Sequence, residues 1–184
     1  MLAQQRADIL GIKNIDFIQA NAENLNFDDN YFDHINCQGV IHHTPNTESA
    51  AKEIARTLKS GGTFSISVYY KNIFLRSWPW LRRLGTILSK FGGGLKGRGR
   101  EGIFELRDVS EVVRFYDGSD NPIGKAYSKA QFLDLLPSSL NVARTFLHFF
   151  PLRALPFSKV TPPSIHKMLD KEFGFLIYAT GTKV

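Results

Sequence analysis

The chain has 184 residues, of which 43% are hydrophobic and 22% charged, an ordinary balance for one globular domain with a real core. Its single cysteine, Cys37, excludes an internal disulfide framework and fits a reducing, cytoplasmic compartment. No apolar run reaches the ~18 residues of a membrane-spanning helix, and Met1–Ile12 has no signal-peptide stretch. The net charge of +6 is local: residues 71–107 carry nine basic and two acidic side chains, leaving fourteen basic and fifteen acidic elsewhere. One basic surface is therefore expected, able to attract phosphates, acidic lipid headgroups or nucleic acid.

Residues 1–11 read as a helix stopped by Gly11. Ile15–Gln19 reads as a short strand, and Phe32–Gln38 as a second one ended by Gly39. Asn46 is placed to cap a helix reaching about Lys59, with Ala50, Ala51, Ile54, Ala55 and Leu58 at helical spacing. Ser60-Gly61-Gly62 is expected to break it. Thr63–Tyr70 follows as a strand with Phe64, Ile66 and Val68 on one face. This alternation is that of an α/β protein with a parallel sheet.

The middle differs. Residues 72–91 read as an amphipathic helix broken at Trp78-Pro79-Trp80. Residues 92–102 hold six glycines and three basic residues and are expected to form a mobile basic lid. A helix over Ile103–Tyr116, a turn-rich loop from Asp117 to Pro122, and a helix capped by Ser128 come next. A strand at about Val142–Phe149, a helix near Ser164–Lys171 and a strand over Phe173–Thr180 complete the chain. The expected organisation is a partial cofactor-binding core over 1–70, a basic, Gly-rich substrate insertion over 71–127, and a C-terminal helix and strands over 128–184 that complete the core.

The stretch from Asn14 to Tyr70 carries the functional signal. Asn14-Ile-Asp-Phe-Ile-Gln-Ala-Asn-Ala-Glu-Asn-Leu25, Phe32-Asp33, Gly39-Val-Ile-His-His43, Glu53-Ile-Ala-Arg56, Leu58-Lys59 and Gly61-Gly62 occur in this order. Together they resemble the class I S-adenosylmethionine-dependent methyltransferases, in the small-molecule branch of the ubiquinone and menaquinone C-methyltransferases. The resemblance implies a Rossmann-like sheet of order 3-2-1-4-5-7-6 and S-adenosylmethionine as cofactor, bound at the carboxyl ends of the strands. Asn21 stands where the family carries an Asp that accepts from the adenine amino group, and Ala22 and Glu23 follow it. Cys37, Gln38, Gly39 and Val40 map onto the segment lining the methionine and ribose portions. Tyr69 and Tyr70 would line the substrate pocket.

The family's glycine-rich turn and ribose-binding acid have no counterpart here. The resemblance therefore implies a chain that starts after the family's second strand, short of its N-terminal third, with Phe32–Gln38 left as an exposed edge. A sheet remodelled so that Ile15–Gln19 pairs with Phe32–Gln38 is the alternative.

His42 and His43 admit two readings: a general base beside the transferred methyl group, or a structural pair holding loops at the strand end. As metal ligands they are weak candidates, because adjacent histidines rarely bind one ion together and no third residue has a telling spacing, so no metal is expected. Cys37 reads as an inert buried thiol. Gly97-Arg-Gly-Arg-Glu-Gly102 fits a dinucleotide fingerprint in letters only, since no strand leads into it.

Three functions compete. The first is methyl transfer to a small acceptor, anionic if it faces the basic lid and lipid-like if it faces the aromatic residues. The second is a catalytically inactive remnant serving as a binding or structural subunit with a partner chain over the exposed strand. The third is nucleic-acid binding through residues 71–107, disfavoured because the aromatic and basic residues there form no recognisable RNA-binding motif.

Overall fold

The computed structural model describes residues 2–90, 100–118, 120–151 and 161–184. Its elements are α1 (Leu2–Ile9), β1 (Phe32–Gln38), α2 (Thr47–Thr57), β2 (Leu58–Tyr70), α3 (Ile73–Arg76), α4 (Trp78–Lys90), α5 (Val109–Asp117), β3 (Ala126–Tyr127), α6 (Lys129–Asp134), β4 (Leu140–His148), α7 (Pro163–Phe173) and β5 (Leu176–Lys183), with 3-10 turns at Ile41–His43 and Arg100–Glu105. The sheet runs β1-β2-β5-β4, and β3 adds to the end of β2. The pairings of β2 with β1 and β3 are parallel, and those of β5 with β2 and β4 are antiparallel. This is a mixed Rossmann-like α/β sheet rather than a wholly parallel one. In the family's numbering its strands correspond to the 4-5-7-6 half.

The helix and strand signals have local causes. The N-terminal end of α2 is capped by Asn46, whose Oδ1 accepts from the Ser49 N–H at 3.0 Å. The α6 helix starts in a capping box in which Ser128 Oγ accepts from Gln131 N–H and Gln131 Oε1 accepts from Ser128 N–H. On β2, Phe64, Ile66 and Val68 alternate toward a core shared with Ala50, Ala51, Ile54 and Ala55 of α2 and Phe132 of α6. A second apolar cluster lies beyond the end of β2, where Tyr69, Leu75, Trp78, Ile103, Val112 and Val113 meet.

Several expectations are corrected. Residues 15–19 form no strand: Ile15 and Ile18 are exposed and nothing pairs with their backbone. The remodelled sheet is therefore not formed, and among the described residues β1 pairs only with β2. The expected break at Ser60-Gly61-Gly62 lies inside β2 instead. Phe32 pairs with Leu58 but His34 pairs with Thr63, so residues 59–62 form a bulge, with Gly61 in the left-handed region at φ 75°. The helix break expected at the Trp-Pro-Trp falls at Ser77. Pro79 sits in the first turn of α4, where its missing N–H costs nothing.

The helix expected over 103–116 is a 3-10 turn followed by α5, because Asp108 caps the latter through Ser110 N–H at 2.6 Å. The last strand begins at Leu176, since Phe173 still belongs to α7. The two-residue β3 carries no periodicity and was not expected. Most of the glycine-rich lid and the dinucleotide-like motif, at residues 91–99, lies outside the described residues.

Candidate functional site

The carboxyl ends of β1 and β2 lead to one cluster of polar side chains. After β1 the chain turns at Gly39, in the left-handed region at φ 69°. Its N–H donates to the carbonyl of Ser67 at 3.3 Å and to Ser67 Oγ at 3.1 Å. This fixes the 3-10 turn that carries His42 and His43. From β2 comes Tyr69, and from the last residue of α5 comes Asp117. Tyr69 Oη donates to Asp117 Oδ1 at 2.6 Å, and His43 Nε2 lies 3.1 Å from Asp117 Oδ2. His43 Nδ1 lies 2.7 Å from the Ile123 carbonyl, with Asn121 Nδ2 at 3.1 Å. A carbonyl only accepts, so Nδ1 carries a proton.

The electrostatics divide the two histidines. His43 has its pKa raised, chiefly by its contact with Asp117 and against a smaller desolvation effect. For Asp117, desolvation is the largest single influence and pushes its pKa up. The combined hydrogen bonds from His43 and Tyr69 and the nearby histidine charge outweigh it, and the net shift is downward. Both shifts favour the charged pair, an imidazolium beside a carboxylate. His42 is wholly buried, and its ring lies 4.1 Å from that of His43. Burial, with the adjacent His43 charge, lowers its pKa to about 3, against smaller opposing influences from Asp117 and the Ser67 backbone. It is neutral across the physiological range. Neither of its ring nitrogens has a hydrogen-bond partner among the described residues.

An apolar cavity of about 130 Å³ adjoins this cluster. It is lined by Tyr69, Leu75, Trp78, Ile103, Val113, Phe175 and neighbours. Tyr69 belongs to both, with its ring on the cavity and its hydroxyl on Asp117. Trp78 stacks on Phe104 with ring centroids 5.8 Å apart and donates its indole N–H to the Leu106 carbonyl at 2.9 Å. Trp80 is exposed, with Arg83 over its ring.

The other expected site residues sit along the same sheet edge with differing engagements. Asn21 Oδ1 accepts from the Glu23 N–H at 3.0 Å. Glu23 Oε1 accepts from the Asn46 N–H at 2.6 Å and so helps fix the start of α2. Ala22 packs against the core. Gln38 and Val40 are exposed, and a Cβ at Gly39 would meet open space. The Cys37 thiol is pushed up to about 11 by burial. Tyr70 points away from the cavity to a shallow groove beside Arg144 and Phe146. Sequence reasoning missed Asp117, Asn121 and Ile123. They lie some 75 to 80 residues from His43 in a loop that carried only turn signals, so nothing local could have joined them to it.

Comparison with known proteins gives this arrangement its context. Residues 1–66 match the methyltransferase domain model. The chain is 38% identical over 69 residues to the uncharacterized methyltransferase YcgJ of Bacillus subtilis, a match covering 38% of this chain and 27% of that protein. It is 36% identical over 89 residues to the ubiquinone/menaquinone biosynthesis C-methyltransferase UbiE of Bartonella tribocorum, covering 48% of this chain and 33% of that one. These matches take in about a third or less of each curated relative. Among solved structures, a SAM-dependent methyltransferase of Thermotoga maritima, described as a possible histamine N-methyltransferase, superposes with a TM-score of 0.54 at 21% identity over 98% of this chain and 70% of that one. The matched segment is thus a methyltransferase domain segment shared with UbiE-type relatives, and the chain has the fold of class I methyltransferases. S-adenosylmethionine is that family's cofactor. Among the described residues, no helix is long and apolar enough to cross a membrane.

Proposed function

We propose that the chain serves methyl transfer from S-adenosylmethionine to a small, largely apolar acceptor bearing one polar nucleophilic group. The observation carrying this is the junction at Tyr69, where an apolar cavity meets the Asp117–His43 pair at the carboxyl ends of β1 and β2. The open left-handed turn at Gly39 fits a ligand lying against backbone. Asn21, Ala22 and Gln38–Val40 would hold the cofactor there. When bound, the cofactor supplies an electrophilic methyl group on a sulfonium.

The chain's own residues then act by position and polarity. The cavity walls strip water from the acceptor body and orient it. Asp117 Oδ2 and His43 Nε2 face the acceptor's polar end and hold its proton. His42, wholly buried, supports the His43 ring and does not touch the acceptor. Glu23 and Cys37 act from behind the cofactor rim, one by fixing α2 and the other as packing. Tyr70, on the opposite face of β2, stays clear of the acceptor.

Radiolabelled methyl transfer to a panel of apolar phenols, quinols and carboxylates tests this reading. Val113→Phe, which fills the cavity, is expected to raise the acceptor KM about tenfold or more while S-adenosylhomocysteine affinity stays unchanged. Unchanged acceptor kinetics in a folded variant would refute the cavity as the acceptor site.

A second reading is favoured by β1. Its outer edge is unpaired among the described residues, and Leu2, Ile9, Leu10 and Ile18 are exposed before it. In this reading the chain is an inactive binding subunit that needs a partner over that edge. Sedimentation showing a stable, cooperatively folding monomer would exclude it.

A further inference from the structure

We propose that His42, His43 and Asp117 form a binding site for one divalent first-row transition ion, such as Zn²⁺ or Fe²⁺. The observation is a buried imidazole without ordinary partners that lies beside a second imidazole and a carboxylate. Both ring nitrogens of His42 are buried without a hydrogen bond among the described residues, and Asp117 Oδ2 has His43 Nε2 beside it at 3.1 Å. Such atoms normally find partners, and each one left without is costly. One donor atom from each of the three residues lies within 4.8 Å of the others. An ion held by ligands at about 2.1 Å separates neighbouring ligand atoms by roughly 3.0–3.4 Å. The separation between His43 Nε2 and Asp117 Oδ2 is 3.1 Å. Closing the set around an ion therefore shortens its widest separation by about 1.5 Å.

The surroundings are those of a ligand shell. His43 Nδ1–H donates to the Ile123 carbonyl at 2.7 Å, which selects the tautomer with its lone pair on Nε2 and aims it at Asp117 Oδ2. Tyr69 Oη donates to Asp117 Oδ1 and leaves Oδ2 for coordination. A backbone carbonyl behind a histidine and a hydroxyl behind a carboxylate are the usual second-layer supports of metal ligands. Two imidazoles and one carboxylate suit borderline divalent ions and leave positions open for oxygen ligands. His43 and Asp117 are each about a quarter exposed and provide the way in. Adjacent histidines rarely share one ion, but here both rings lie beside Asp117, the third ligand that the sequence around them lacks.

The ion would occupy the same His43 Nε2 and Asp117 Oδ2 that hold the acceptor's proton in the methyl-transfer reading, so the test reads metal directly and not activity. The full chain, stripped with a chelator and shown to be folded by circular dichroism, is titrated with Co²⁺ while its visible absorption is followed. Zn²⁺ is then added in competition. One equivalent of tightly bound Co²⁺, displaced by Zn²⁺, is expected. Asp117→Asn and His42→Phe should each weaken binding about tenfold or more. His166→Ala, at the separate His148–Asp170–His166 contact, should leave it unchanged. Asp117→Asn is a near-isosteric change at a partly exposed position and keeps the test decisive should His42→Phe fail to fold. Absence of one-to-one binding by the folded chain would overturn the proposal. So would binding that persists in Asp117→Asn or is lost in His166→Ala.

Discussion

The burial of His42 has a consequence that can be worked in numbers. Its pKa falls from 6.5 to about 3 on folding. The unfolded chain therefore takes up a proton below pH 6.5 that the folded chain refuses until far lower. Stability is lost as pH falls through this window, because the unfolded state binds more protons there. Taking 6.5 unfolded and about 3 folded, the metal-free protein loses ~2 kcal/mol between pH 8 and pH 5 from this group alone, and ~3 kcal/mol by pH 4. His42→Phe keeps a ring in the same space and removes the titration. Urea unfolding of both proteins, with chelator present, at pH 8, 6, 5 and 4 gives the difference directly. Carboxylates and His43 contribute to both curves and largely cancel. The wild type should lose about 2 kcal/mol more than the variant by pH 5. Curves that run parallel to within about 0.5 kcal/mol, or a His42 ring signal titrating near 6.5 by NMR, would refute the reasoning.

Further outcomes follow from the same structure. Asp117→Asn removes the main cause of the raised His43 pKa, so the midpoint of that ring should fall in an NMR titration. His43 contributes stability that is complete below pH 6.5 and lost as pH rises through its folded value. As pH rises from 6.5, the wild type should therefore weaken more than Asp117→Asn does. Phe132, fully buried between α6 and β2, should cost about 3–5 kcal/mol as Phe132→Ala in urea unfolding. At Gly181, a Cβ would overlap the Asn141 carbonyl oxygen at the β4–β5 bulge. Gly181→Ala should destabilise by about 1–3 kcal/mol and lower the thermal midpoint.

Much of the fold was legible where local chemistry decides it. The Asn46 cap, the alternation of Phe64, Ile66 and Val68, and the Ser128 capping box each act within a few residues, and their elements formed as expected. Ile15–Gln19 has the composition of a strand, but a strand exists only with a neighbour, and none pairs with it among the described residues. Gly61-Gly62 signals a turn in sequence, and in the sheet it becomes a bulge because β1 begins pairing at Leu58 and resumes at Thr63. The histidine pair was legible as a point of interest at the end of a strand. Its partners were not, because the His43–Asp117 and His43–Ile123 contacts depend on where α5 and the approach to β3 fold back. That is a tertiary event without a local signature.

A cofactor site at the carboxyl ends of β1 and β2 underlies the proposed function. Calorimetric titration of S-adenosylhomocysteine into the folded 184-residue chain tests it most directly. One-to-one binding in the micromolar range, weakened by a Gly39→Val change that fills the open left-handed turn, is the expected result. No binding by a chain shown to be folded, or binding indifferent to Gly39→Val, would contradict it.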